Sequence, residues 1–241
     1  MTTPLRQLVA PLQRIAALVS LALITPCLLP IGSKAAPAGR AVAPPTPLQI
    51  VRRLLGIPQR VAVGGSRSSA ALAVCLVSPT ITGTTANPNA AGHIPQPLAV
   101  VPLPTPTLLV AGPLSEIRLE RGGVILWRQL ASSTQPISGP ISWPLPPLQP
   151  DESLDLRLRP LGASGADFAA ISLKTASAAE LERQRTVIQA LGNSQERWVQ
   201  AIDGVANADP ALAVALLTTP EAPAAVRASA AGLTCAAPAT P

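Results

Sequence analysis

The chain has 241 residues, enough for one substantial core or for one domain with a smaller companion. Its 48% apolar content is largely Ala, Leu and Val, with no Tyr, one Phe and three Trp, while 29 prolines favour short strands and ordered loops over a helical bundle. The net charge of +6 is scattered, without a Lys/Arg run and with too few aromatics to stack on bases, which argues against nucleic-acid binding.

Residues 1–115 carry eight basic and no acidic residues, whereas 116–241 carry ten basic and twelve acidic ones. The N-terminal excess begins in a segment with the pattern of an export signal. Arg6 and Arg14 precede the apolar run Ile15–Leu29, and small residues follow at Ser33, Ala35, Ala36 and Ala38. Residues 1–38 are therefore expected to be a signal peptide, cleaved after Ala35 or Ala38, and the protein to be periplasmic or secreted. An uncleaved anchor is the alternative, but the run is shorter than the roughly 20 residues a span needs, and Pro26 interrupts it. Cys27 invites a lipoprotein reading, against which Pro26 stands where a small residue is required.

Residues 39–58 read as a Pro/Ala-rich linker, in which Leu48–Leu55 has the composition of a short helix or strand. Strands are expected at Ala70–Val77, Leu98–Val101 and Thr107–Val110; eight prolines within 79–113 predict that the last two lie at sheet edges. Glu116–Leu130 is a hairpin signature broken by Gly122-Gly123. A three-residue loop over Arg121–Gly123 would set Leu119 opposite Ile125, Ile117 opposite a buried Trp127, and Glu116 opposite an exposed Arg128. Further strands follow at Ile137–Pro144, Ser153–Arg159 and Phe168–Lys174. In the second, Leu154, Leu156 and Leu158 point one way and Asp155, Arg157 and Arg159 the other. Short strands at regular spacing predict an all-β antiparallel sandwich, immunoglobulin/fibronectin-like, over 59–175.

From Ser177 the period becomes helical. Ser177-Ala178-Ala179-Glu180 is a capping box, with Leu181, Val187, Ile188 and Leu191 on one face. Asn193–Glu196 offers a second cap ahead of Trp198, Val199, Ile202 and Val205, and Asp209-Pro210 a third. A last helix is expected over Pro223–Ala231. Residues 176–235 are thus expected to form a small, separable all-α domain, with 236–241 a disordered tail.

No catalytic, cofactor-binding or metal-ligating set emerges. His93 is the single histidine, in a loop without Cys or carboxylate neighbours. Asp151, Glu152 and Asp155 lack the oxygen count and loop spacing of a calcium site and read as a solvated turn. Gly64-Gly65-Ser66-Arg67 matches no phosphate-binding pattern, and Ser164 lacks nucleophile-elbow spacing. Trp127, Trp143 and Trp198 each fall on the apolar face of their element, as core anchors do. With Cys27 in the removed segment, an oxidising compartment leaves one intramolecular pairing, Cys75 with Cys235. The alternative is that Cys75 packs as a small hydrophobe while Cys235 stays in a mobile tail.

The signal, Gly64–Arg67 before Cys75, the Thr107-Leu108-Leu109-Val110 strand, the stretch from Leu145 to Leu158 with its L-D-L-R-L, and the helical tail together resemble an uncharacterised family of exported cyanobacterial domains. The resemblance covers about 57–217 and implies architecture and compartment, with no activity attached. The expectation is an exported, non-catalytic interaction or structural module of the periplasm or envelope, with an unknown protein partner and no cofactor. Its membrane contact would come only from an uncleaved N-terminal segment. The rivals are an extracytoplasmic hydrolase using His93 with a carboxylate such as Asp151, and a membrane-anchored accessory subunit.

Overall fold

Strand β5, Leu108–Arg121, is the axis of the sheet and is 14 residues long. In the computed structural model, which describes residues 46, 49–50, 54, 60–62, 73–85 and 95–235, it pairs with four other strands. The expected signal segment, most of the expected linker, Gly64–Arg67 and His93 lie outside the described residues. Around β5 stand β1 (Arg60–Ala62), β2 (Ala73–Ser78), β3 (Ile81–Thr84), β4 (Pro97–Val101), β6 (Val124–Leu130), β7 (Ile137–Ile141), β8 (Ser153–Pro160) and β9 (Ala169–Thr175). The order is β1-β2-β5-β8-β9-β4-β3, with β6 and β7 also paired to β5. The first half of β5 is flanked by β2 and β7, the second half by β8 and β6.

The antiparallel, immunoglobulin/fibronectin-like sandwich expected from the sequence is not what forms. β4 and β9 run parallel, from Leu98 opposite Ser172 to Val101 opposite Thr175, and one sheet curls into a half-barrel in place of two facing sheets. Alternation along a strand reports which of its residues share a face. Which strand lies beside it is decided by contacts far apart in sequence, such as this pairing of β4 with β9.

The expected edge strands are internal. Thr107–Val110 and the first arm of the hairpin merge into β5, and β4 lies between β9 and β3. Pro113 has no N–H to donate, yet it is accommodated where the ladder is already broken. Register shifts lie between Val110 and Leu114 on the β7 side and between Leu114 and Glu116 on the β8 side, with Gly112 at φ 125°. Pro97 opens β4, one residue before its ladder with β9 begins.

The hairpin turn is also corrected. Gly122 and Gly123, at φ 55° and 82°, form a two-residue turn that sets Arg121 opposite Val124. An extra residue on β6, Leu126, then shifts the register, so Leu119 faces Trp127, Ile117 faces Gln129 and Arg118 faces Arg128. Without the bulge the same turn would set Leu119 opposite Leu126 and Ile117 opposite Arg128. Trp127 is half-buried beside Leu119, not buried beside Ile117.

The inner face of the half-barrel holds Leu76, Leu108, Val110, Leu114, Ile117, Leu119, Leu156, Leu158 and Ile171. On the outer face, Cys75, Val77 and Leu109 pack against four helices, α1 (Ala178–Leu191), α2 (Gln195–Val205), α3 (Pro210–Thr218) and α4 (Ala224–Ser229), with a 3₁₀ turn at Ala230–Gly232. Their caps are those the sequence announces: Ser177 accepts from Glu180 N, Ser194 from Arg197 N and Asp209 from Leu212 N. On α1, however, Leu181, Gln184 and Leu191 face inward while Val187 is exposed. Residues 211–218 of α3 are buried all round, because the helix is sandwiched between the sheet and its helical neighbours.

The strand-to-helix change at 176 does not divide the packing. Trp198, Ile202, Val214 and Leu217 share one core with the strand residues Cys75, Val77 and Leu109, and with Ile50 and Leu54 from within the expected linker. Cys75 and Cys235 are joined by a disulfide, Cα–Cα 5.6 Å, which ties the C-terminal end of the described chain to β2 across 160 residues.

Candidate interaction surface

Two neighbouring regions of the second half of β5 stand out: the free edge of β6 and the outer face of the sheet. Among the described strands β6 is paired along one side only, and that side is β5. Val124, Ile125, Leu126 and Leu130 are 64%, 46%, 39% and 53% exposed, an unusual concentration for one strand of seven residues. The Arg-Gly-Gly-Val turn positions this strand, and the bulge at Leu126 twists its apolar side chains away from a single face.

The outer face beyond the helices is polar. After the β5 bulge, Glu116, Arg118 and Glu120 alternate with Ile117 and Leu119, whose side chains belong to the inner core. On β8, Asp155, Arg157 and Arg159 alternate with Leu154, Leu156 and Leu158 in the same way. The register brings these sets together: Glu116 lies opposite Arg159, Arg118 opposite Arg157 and Glu120 opposite Asp155.

Glu116 is fully buried and held by three guanidinium groups. The Nε groups of Arg118 and Arg128 donate to its Oε1, and Arg159 Nη2 lies 2.6 Å from its Oε2 in a contact not aligned as a hydrogen bond. Burial alone would raise this carboxyl, but hydrogen bonds from Arg118 and Arg128 and the charges of Arg118 and Arg159 outweigh it and hold it below the usual range. Glu120 receives Arg157 Nε at 2.8 Å, with Arg118 Nη1 at 3.9 Å. The Phe168 ring lies under both Arg118 and Arg159, 4.5 and 5.5 Å from its centroid.

The residues singled out in the sequence are placed as follows. Asp155 accepts from Ser172 Oγ at 3.4 Å on the outer face. Glu152 accepts from Gln149 N at 2.6 Å and pairs with Arg121 across the hairpin turn. Asp151 is exposed at φ 57° in the preceding turn, and no group of metal-ligating side chains forms among the described residues. Ser164 donates to Asp167 within its loop. Trp198 is fully buried and donates from Nε1 to Gly192 O at 2.7 Å, whereas the half-buried Trp143 donates to Pro146 O at 3.1 Å. Leu103, Pro104, Leu181 and Ile188, with Arg185 and Glu221, line a separate cleft of about 270 Å³.

Sequence reasoning placed Arg128 near Glu116 but did not assemble the wider cluster. Its signals are present, Glu-x-Arg-x-Glu at 116–120 and Asp-x-Arg-x-Arg at 155–159. Each defines one face of one strand, and only the β5–β8 pairing superimposes them. No family model, curated protein or solved structure matches this chain.

Proposed function

We propose that the protein is an exported, non-catalytic interaction module of the periplasm or envelope that receives an extended strand of a partner protein on its β6 edge. The N-terminal pattern of Arg6, Arg14 and Ile15–Leu29 supports export. One observation carries the interaction reading: β6 offers a backbone edge that no described strand pairs with, together with four exposed apolar side chains. Such an edge is a template for strand addition, in which main-chain hydrogen bonds give affinity and alternate side chains give selectivity. The edge carries a single charge, Arg128, and that charge is drawn toward Glu116. The partner segment is accordingly apolar and extended, with little need of charge.

A photo-crosslinking side chain at Leu126 in the producing cell, beside a control at the exposed Val187 of α1, tests this reading. A discrete protein adduct from position 126, absent from 187 and lost on Ile125→Lys, is expected. Equal adducts from both positions, or none, would overturn it. An adduct of twice the chain's own mass would replace the partner protein by a second copy. The mass of the exported chain shows in the same experiment whether residues 1–38 have been removed.

A further inference from the structure

We propose that the outer face of the sheet binds a linear polyanion, a chain of linked phosphates or uronates, through a row of three guanidinium groups, Arg128, Arg118 and Arg157. Arg118 is the cross-strand partner of Arg128 on β6 and of Arg157 on β8. The three therefore stand in line across adjacent strands, one per strand spacing of about 4.8 Å. Like charges directly opposite one another destabilise a sheet, so such a row persists only where something compensates it. Here Glu116 lies one row to one side and Glu120 one row to the other.

The manner of compensation leaves the row available. Arg118 and Arg128 reach Glu116 through Nε, and Arg157 reaches Glu120 through Nε. No described residue accepts a hydrogen bond from the Nη atoms of these three arginines, although Glu120 Oε1 lies 3.9 Å from Arg118 Nη1. The inner edge of each guanidinium is thus fixed by a carboxylate while its outer fork is left for a ligand. Arg159, by contrast, is consumed by Ser115 Oγ, Gly165 O and Glu116, and acts as a support. Four arginines against Glu116, Glu120 and Asp155 leave this face with an excess of one positive charge.

A guanidinium fork matches carboxylate and phosphate oxygens, and a row of evenly spaced forks matches a ligand that repeats its charge along a chain. A nucleic acid fits less well, because the neighbouring aromatic, Phe168, is already covered by Arg118 and Arg159 and offers no stacking surface. A flat anionic bilayer fits less well too. The helices stand on this same outer face, packed on Cys75, Val77 and Leu109, and a helix is about 10–12 Å across, so a plane would meet them before the arginines.

Calorimetric titration of the full chain with long-chain inorganic polyphosphate and, separately, with oligogalacturonate tests the proposal and identifies the source of the charge. Binding to one or both is expected, weakening as salt rises. Arg128→Gln leaves Glu116 with Arg118 and Arg159, and Arg157→Gln leaves Glu120 with Arg118. Each should weaken binding by about tenfold, the value of one charge-assisted contact. Arg183→Gln on α1 changes the net charge equally and should alter it by less than about twofold, since an exposed charge paired within its own helix contributes little. Should a glutamine variant fail to fold, Arg128→Lys and Arg157→Lys keep the ion pair but lose the fork, and should still weaken binding. Failure of both polymers to bind, an equal loss in Arg183→Gln, or tighter binding to phosphatidylglycerol vesicles or single-stranded DNA than to either polymer would overturn the proposal.

Discussion

Replacing Glu116 by Gln keeps the side chain's shape and removes the one charge that three arginines converge on. Breaking a fully buried ion pair costs about 3–5 kcal/mol, because the surviving charge is left without water or partner. Here the surviving side chains of Arg118, Arg128 and Arg159 are 21%, 45% and 19% exposed and recover part of their hydration. The expected loss is accordingly smaller, about 2 kcal/mol at neutral pH. Its pH dependence has a definite sign. The carboxyl is held below its ordinary value in the folded chain, so the unfolded chain binds the proton first. The contribution of Glu116 is therefore complete above the ordinary glutamate range and disappears as pH falls through the lowered folded value. Urea unfolding of both chains at about pH 7, 5 and 2.5 should show a gap that holds between the first two and narrows at the third. A gap below about 0.5 kcal/mol at neutral pH, or one that does not change on acidification, would refute the account of Glu116 as the electrostatic centre of this face.

The tryptophans should separate by burial. Trp198→Ala, which empties a fully buried site and orphans Gly192 O, should cost about 3–5 kcal/mol. Trp127→Ala on the edge strand should cost about 1 kcal/mol, and equal losses in urea unfolding would mean the packing of β6 is misjudged. Replacing Cys75 and Cys235 together by Ala should lower stability by up to about 5 kcal/mol, the chain-entropy figure for a loop of 160 residues. Thermal unfolding of the parent chain with and without reductant should show a matching drop, and an unchanged midpoint would show that the bond carries no stability.

Local chemistry was legible in the sequence wherever one element decides the outcome. The alternation of Leu154, Leu156 and Leu158 with Asp155, Arg157 and Arg159 became β8 with its two faces. The caps at Ser177, Ser194 and Asp209 became helix starts, because a side-chain oxygen and a backbone N–H three residues on are all that a cap requires. Tertiary structure alone decided what depends on neighbours. The parallel pairing of β4 with β9, the merging of two expected strands into β5 and the bulge at Leu126 each follow from non-local fit. Val187 was assigned to the buried face of its helix, yet Gln184 took that position once α1 was set against its neighbours. The arginine row is the clearest case. Arg118, Arg128 and Arg157 come from three strands, and a period-2 pattern orients each without stating that the three stand side by side.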